Sequence, residues 1–143
     1  MAMLRFVPAL LVLLAFTGVL PQRVYSATPL FAENADKVVS LRNLTTNVNE
    51  VSGEIVNNSK DPVRDVNLQI LYSWRWNNEM HPGTNDPGQA FYQIVEPEIA
   101  PGQSTRFSFK PPTPMTTRRD GYYDIIVKVV GYSQVYRGES RAR

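Results

Sequence analysis

Apolar and polar residues alternate more regularly in the middle of the chain than anywhere else. Every second residue here is large and apolar or aromatic: Val66, Leu68, Ile70, Tyr72, Trp74 and Trp76. Four of the five residues between them are polar. Because successive side chains of a strand point to opposite faces, this pattern predicts a strand over residues 63–76 with one buried and one solvent-facing side.

A second, shorter alternation precedes this strand and places Val51, Gly53 and Ile55 on one side. Residues 57–62, between the two runs, have the sequence Asn-Asn-Ser-Lys-Asp-Pro, and these residue types favour turns. We therefore expect the two runs to pair as a β-hairpin. That hairpin would be the centre around which the remaining strands are arranged.

Shorter runs on both sides of the hairpin predict the remaining strands. They are Val38–Asn43, Ala90–Val95, Thr105–Phe109, Tyr123–Gly131 and a last edge strand at residues 134–137. Thr105–Phe109 has both of its phenylalanines on the inward side. Tyr123–Gly131 has apolar residues on both sides, which is typical of a central strand that is partly covered on its outer face.

The segments between these strands contain strong turn and loop signals. Residues 77–88 contain two Pro-Gly pairs and predict a long loop, because neither a helix nor a strand continues through such pairs. Three prolines at residues 111–114 predict a stiff crossover. The strand that follows the long loop has either Phe91 and Val95 or Tyr92 and Ile94 on its inward side, and the alternation does not decide between them.

Short strands with turn signals between them, and no helical period after residue 26, predict an all-β protein. We expect an antiparallel β-sandwich of about seven strands over residues 38–137, of the immunoglobulin-like or fibronectin type III-like kind. Residues 27–37 predict a flexible lead-in and residues 138–143 a basic tail. Tyr123 has the phase of the tyrosine corner of such sandwiches, whose hydroxyl bonds back to the chain a few residues upstream.

The start of the chain has the three parts of a secretory signal peptide. A basic residue, Arg5, precedes an uncharged apolar run, Phe6–Leu20, and small residues then lead to Ala27. The apolar run is shorter than the roughly 20 residues that a membrane span needs. We predict cleavage after Ser26, so that residues 1–26 are removed, and a retained N-terminal membrane anchor is the alternative.

Charge and cysteine content change the picture once the signal peptide is set aside. Removal of Arg5 and Arg23 leaves equal numbers of basic and acidic residues, so the basic pI belongs to the precursor. The mature charge therefore gives no support for a nucleic-acid partner. The chain contains no cysteine, so its stability must come from the packed core of the sandwich.

Groups for catalysis and metal binding are scarce. His81 is the only histidine, there is no cysteine, and no glycine-rich phosphate loop is present. Neither a catalytic triad nor a two-histidine metal site can be completed, so we predict no enzymatic activity and no cofactor. Met80 and His81 could bind copper with Met115 as a third ligand, but these are too few for a dedicated site and we predict no metal.

The aromatic residues that flank the long loop are the strongest candidates for binding. They are Trp74, Trp76, Phe91 and Tyr92, and Arg75 lies among them, with Met80 and His81 in the loop itself. One interpretation is core packing at that end of the sandwich. The other is an exposed platform that contacts a partner protein, or that stacks a sugar on Trp76 and Tyr92.

Several short motifs resemble the FxLYD family of small exported bacterial domains. They are Gly53-Glu-Ile-Val-Asn57-Asn-Ser59, Leu71-Tyr72, and Pro101-Gly102 before a strand that contains Phe107. The resemblance covers residues 38–132 and implies structural roles for Gly53, Asn57, Pro101, Gly102 and Phe107. It also implies an immunoglobulin-like or fibronectin-like sandwich in the cell envelope, usually without catalytic residues.

The chain departs from the family pattern after Tyr72. An Asp and a short turn are expected there, whereas Ser73-Trp-Arg-Trp76 and the long loop follow. We expect any specialised function to lie at this departure.

These observations together predict an exported, non-enzymatic β-sandwich in the periplasm or outside the cell. We expect it to act by protein–protein contact, as an accessory or structural component of an envelope assembly. The alternatives are a carbohydrate-binding module that takes a polysaccharide on Trp76 and Tyr92, and a subunit anchored in the membrane by Phe6–Leu20.

Overall fold

The computed structural model of the chain describes residues 26–31 and 35–136. These residues form seven strands and one short helix: β1 (Ser26–Phe31), α1 (Ala35–Val38), β2 (Val39–Thr46), β3 (Val51–Asn57), β4 (Val63–Trp76), β5 (Gln89–Val95), β6 (Ser104–Phe109) and β7 (Gly121–Tyr136). The predicted all-β character is confirmed. The signal peptide, apart from Ser26, and the basic tail fall outside the described residues. The helix α1 has four residues, and no described helix is long and apolar enough to cross a membrane.

The strands form two antiparallel sheets. The larger has the strand order β1-β7-β4-β5 and the smaller has the order β2-β3-β6. Their apolar faces share one core, in which side chains from both sheets are buried: Val39, Val51, Ile55, Leu68, Ile70, Tyr72 and Phe107. This arrangement is the β-sandwich that the strand pattern predicts.

The strand β4 follows its predicted alternation from Val66 to Trp76. Leu68, Ile70 and Tyr72 have no exposed surface, and the residues between them are partly exposed. Phe107 and Phe109 of β6 both face the core, as predicted. In β5 the structure decides what the sequence leaves open, because Phe91 and Val95 face inward whereas Tyr92 and Ile94 are exposed.

The predicted hairpin is wrong. The strand β3 pairs with β2 and β6 in the smaller sheet, and β4 pairs with β5 and β7 in the larger one. Residues 58–62 therefore carry the chain from one sheet to the other. Alternation shows which face of a strand is buried, but it does not show which strand occupies each edge.

A hydrogen-bond cluster around Asn57 holds this crossing in place. The Asn57 side chain is fully buried, and its amide donates to the carbonyls of Asp61 at 2.8 Å and Ile99 at 2.9 Å. Its oxygen accepts from the Ser59 N–H at 2.9 Å and from the Ser59 hydroxyl at 2.7 Å. Every donor and acceptor of the amide group is thus used, as a buried polar side chain requires.

The Pro101–Gly102 turn is attached to the same cluster. The Asn57 N–H donates to the Gln103 carbonyl at 3.0 Å, and the Gly102 N–H donates to the Asn57 carbonyl at 2.8 Å. Gly102 has φ 71°, a conformation that glycine adopts without a steric cost. The residues that the FxLYD resemblance marks as structural therefore meet at one point, except Gly53 and Phe107, which lie opposite each other on β3 and β6.

The predicted end of β7 and the predicted lead-in also differ from the structure. The strand β7 continues through Gly131 to Tyr136, so residues 134–136 are not a separate edge strand. Residues 27–31 of the expected flexible lead-in belong to β1, which begins at Ser26 and pairs with Gly131–Tyr136. The central position predicted for Tyr123–Gly131 is not found among the described residues, because β4 lies on one side of this segment and β1 reaches it on the other side only at Gly131.

The pairing between β4 and β7 passes through a bulge near Gly131, where the sequence predicted the end of a strand. The register between β4 and β7 shifts on both sides of Asn67, and Asp65 takes φ 51° in this region. An extra residue on one strand changes which side chains face the core while the pairing continues. Tyr132 and Val135 lie beyond the shift and are both buried.

Replacement of Asn57 by alanine should destabilise the fold by about 3 kcal/mol or more, because several buried groups lose their partner at once. The free energy of unfolding from urea denaturation checks this expectation. Asn58→Ala is the matched control, since the exposed Asn58 side chain bonds only to the Ser40 hydroxyl, at 2.9 Å. Equal losses for the two variants would contradict the assigned role of Asn57.

Candidate binding surfaces

The aromatic residues beside the long loop do not share one surface. Trp74 and Trp76 lie on the inward side of β4, and Phe91 on the inward side of β5. Tyr92 lies on the outer face, where its hydroxyl accepts a hydrogen bond from the Gln69 amide at 2.8 Å. A platform that combines Trp76 with Tyr92 is therefore not formed.

Trp74 is a core residue at the end of the sandwich. Its side chain is 6% exposed, and its ring meets the Tyr123 ring edge-on with 4.9 Å between centroids. The Trp76 ring, which is partly exposed, packs edge-on against Trp74 at 6.1 Å. Phe91 joins the same core through Tyr72 at 5.7 Å. The core interpretation of these aromatics agrees with the structure.

Arg118 covers both tryptophans from outside. Its guanidinium lies 4.9 Å from the centroid of Trp76 and 5.6 Å from that of Trp74, which is within the range of a cation–π interaction. The same group forms an ion pair with Asp120 and donates to the Asn85 carbonyl at 2.7 Å. The hydrogen bond from Arg118 lowers the pKa of Asp120. Arg118 thus connects the aromatic end of the core to the long loop.

Further contacts hold residues 77–88 against the sandwich. The Asn77 N–H donates to the Asp120 carbonyl and the Asn77 amide to the Arg119 carbonyl, both at 2.9 Å. Gly83 packs so closely on Trp76 that an added Cβ would lie 2.5 Å from the ring. The loop therefore closes the end of the sandwich, and the tryptophan rings are not left open for a ligand.

Tyr123 also bonds to this loop. Its hydroxyl donates to the Pro87 carbonyl at 3.4 Å, and burial raises the pKa of the phenol. The predicted tyrosine corner places this bond a few residues upstream of Tyr123, whereas Pro87 precedes it by 36 residues. The structural role predicted for Tyr123 is thus performed by a long-range contact.

Of the three candidate copper ligands, two lie in the exposed loop and the third lies in the core. Met80 is 87% exposed and His81 is also exposed, whereas Met115 is buried in the core. Asn78 bonds to this tip of the loop, and its oxygen accepts from the Met80 N–H at 3.2 Å. The three residues are not brought together, and the described part of the chain contains no cluster of three or more His, Cys, Asp or Glu residues.

The outer face of the four-stranded sheet is the surface that the sequence analysis missed. Tyr92 and Ile94 of β5 are 62% and 60% exposed. Leu71 of β4 lies opposite Ala90 of β5 on one side and Ile126 of β7 on the other. These five residues, the outer patch, form a continuous apolar area on three neighbouring strands.

Charged and polar groups border the outer patch. Gln69 and Lys128 lie opposite each other beside Tyr92, and Arg75 forms an exposed ion pair with Asp124 at 3.5 Å. Arg75 thus lies on the outer face and away from the tryptophans with which the sequence grouped it. The signal for this surface is present in the chain, because Leu71 and Ile126 are apolar residues at positions where a solvated face would have polar ones.

Replacement of Arg118 by glutamine should lower the free energy of unfolding by about 1–2 kcal/mol, because the cation–π contacts and the bond to the loop are lost. Limited proteolysis should then cut residues 77–88 faster. The ion-pair part of this effect should disappear as the pH falls through the lowered pKa of Asp120, because the protonated carboxyl no longer attracts Arg118. Arg119→Gln is the control, since its side chain is exposed, and an equal effect there would contradict the assignment.

Comparison with known proteins does not add to this picture. No protein-family model, no curated protein sequence and no solved structure matches this chain.

Proposed function

We propose that this chain is an exported, non-enzymatic β-sandwich that acts by protein–protein contact. It would serve as an accessory or structural component of a cell-envelope assembly, as a member of the FxLYD family with an immunoglobulin-like sandwich. The contact surface in this proposal is the outer patch: Leu71, Ala90, Tyr92, Ile94 and Ile126.

The exposure of Tyr92 and Ile94 carries the proposal. Both are large side chains on a regular strand that could have held polar residues, and both are about three-fifths exposed. Apolar side chains from three adjacent strands form one area, whereas isolated apolar residues on a surface need no explanation. Tyrosine is enriched at protein interfaces because it combines a large apolar ring with a polar end.

The border of the patch fits a protein partner better than a lipid surface. Arg75, Asp124 and Lys128 include both signs of charge, which suits the polar rim of an interface between proteins. The cluster of basic residues that an anionic membrane surface attracts is absent from this face of the described sheet. The rim gives specificity and orientation, and the apolar centre supplies the binding energy.

The long loop has the opposite character. Arg118, Asn77 and Tyr123 attach it to the sandwich, and the two tryptophans lie beneath it. A loop that is bonded to its own sandwich in this way shields the tryptophans at the end of the core from water. The proposal therefore assigns the partner contact to the sheet and not to the loop.

Export rests on the sequence of the first 26 residues. Cleavage after Ser26 would leave Ala27–Phe31 to pair with β7, so the mature chain would keep nearly all of β1. The mass of the protein isolated from a bacterial host should equal that of a chain beginning at Ala27. A mass that includes Met1 would support the alternative of a retained anchor.

A charge placed in the outer patch should abolish partner binding and leave the fold intact. Ile94→Glu changes a mainly exposed side chain, so the free energy of unfolding should change by less than about 0.5 kcal/mol. Affinity capture from an envelope extract of the source organism should lose a specific protein. The control is Leu44→Glu on the other sheet, where Leu44 is 43% exposed. Capture that survives Ile94→Glu, or is lost equally with Leu44→Glu, would contradict the proposal.

A further inference from the structure

Among the described residues, one edge of β7 has no strand paired with it over most of its length, although α1 and β2 lie close to β7. On one side β7 pairs with β4 from Gly121 to Gln134, and on the other side it pairs with β1 only from Gly131 to Tyr136. In the described part of the chain, no strand lies against Gly121–Val130 on the β1 side. The free edge therefore presents backbone N–H and C=O groups that can bond to an added strand.

The edges at β2 and at β5 have features that discourage the addition of a strand. The strand β2 has a register shift after Arg42, and Asn43 takes φ 51° at that point. On the opposite side the Gln93 amide of β5 donates to the Ser108 carbonyl of β6 at 3.1 Å, which links the two edge strands. By contrast, the pairing of Gly121–Val129 with β4 is regular, without any shift, so the free edge is straight.

The core-facing residues of this edge are incompletely covered. Ile125, Val127 and Val129 pack on the core but remain partly exposed, whereas Leu68 and Ile70 of the adjacent strand have no exposed surface. A cleft of about 430 Å³ between β2 and β7 is lined by apolar and polar residues: Asp36, Val39, Ser40, Leu41, Val127, Lys128 and Val129. An added strand would cover these half-buried valines.

The sequence along the free edge is complementary to itself. When two copies of the segment from Tyr123 to Val129 run antiparallel with Ile126 opposite Ile126, each Asp124 lies opposite Lys128 of the second copy. Asp124 and Lys128 share the outer face, as their pairing with Ser73 and Gln69 of β4 shows. The pairs on the inner face join apolar residues, Tyr123 with Val129 and Ile125 with Val127. Opposite charges and apolar residues directly across an antiparallel pair are both stabilising.

The positive charge of Lys128 is available to pair with Asp124 of a second copy. Its side chain is exposed, and it takes part in none of the ion pairs among the described residues. Asp124 is only weakly held by Arg75, since that contact is exposed and 3.5 Å long. An arbitrary peptide from another protein would give no reason for the symmetric placement of one acid and one base about Ile126.

We propose that two copies of this chain associate through the free edge of β7, antiparallel and about a twofold axis at Ile126. The two four-stranded sheets then form one continuous sheet across the axis. Seven residues of each copy share an edge of about 24 Å at the usual rise per residue. This proposal does not rest on the partner proposed for the outer patch, although Ile126 belongs to both surfaces and the two outer patches would lie on the same face of the joined sheet.

Charge reversal tests the association. Sedimentation of the protein, purified after expression of the full-length sequence, should show a dimer over a concentration series. Lys128→Asp should raise the dimer dissociation constant about tenfold or more, because two like-charged pairs replace two attractive ones. The double variant Asp124→Lys with Lys128→Asp should restore the dimer. Lys60→Asp makes the same chemical change at an exposed turn and should have no effect.

A single cysteine tests the register. The chain contains no cysteine, so Ile126→Cys introduces one thiol per copy, and the twofold axis brings the two thiols together. Facing residues of paired strands lie at the Cβ separation that a disulfide needs, so oxidation should link the dimer covalently. Ser73→Cys on the adjacent strand β4 is the matched control and should not form this link.

Several outcomes would overturn the proposal. A monomer at every concentration, or a dimer that Lys128→Asp leaves unchanged, excludes the charge-paired edge. A link through Ser73→Cys but not through Ile126→Cys places the contact elsewhere on the sheet. Binding of a different protein to the edge of a monomeric chain would show that the occupant is not a second copy. In none of these cases does the effect of Ile94→Glu on partner capture change, so the two proposals fail separately.

Discussion

The buried side chain of Asn57 is the constraint on which the sandwich depends. It stands at the end of β3 and bonds to Asp61 and Ile99, while its backbone bonds to the turn at Gly102 and Gln103. The chain must leave one sheet and enter the other here without pairing β3 to β4. Crossing segments normally expose their polar backbone groups to water. The buried Asn57 amide bonds to two carbonyls and one N–H, so it fixes the path of the crossing from below while the crossing residues themselves stay at the surface.

The opposite end of the sandwich is closed by charge and aromatic rings. Arg118 covers Trp74 and Trp76 and reaches the long loop through Asn85, while Tyr123 bonds to Pro87. The rings would otherwise give the loop end a large apolar surface. A cation over an aromatic face retains part of its hydration while it protects the ring from water. Arg118 and the long loop therefore form a cap over the two tryptophans at the end of β4.

The surfaces left open lie on the four-stranded sheet. Its outer face holds Tyr92 and Ile94 in the open, and the β1-side edge of β7 has no partner over Gly121–Val130 in the described chain. A face and an edge offer different chemistry. The face offers apolar side chains and suits a partner with its own specific shape. The edge offers backbone N–H and C=O groups, which would pair with any strand. Specificity for a particular strand comes from the side chains that face each other across the pair, which here are Asp124 and Lys128.

The sequence by itself determined the faces of the strands. The alternation in β4 and in β6 predicted which side chains are buried, and the Pro-Gly pairs predicted the loop at 77–88, because these signals depend on neighbouring residues only. Tertiary structure alone decided the neighbours: β3 and β4 lie in different sheets, β7 continues past Gly131, and Tyr92 faces outward. Every strand has the same backbone donors and acceptors along its edges, so their pairing is settled only when distant segments compete to bury the same core.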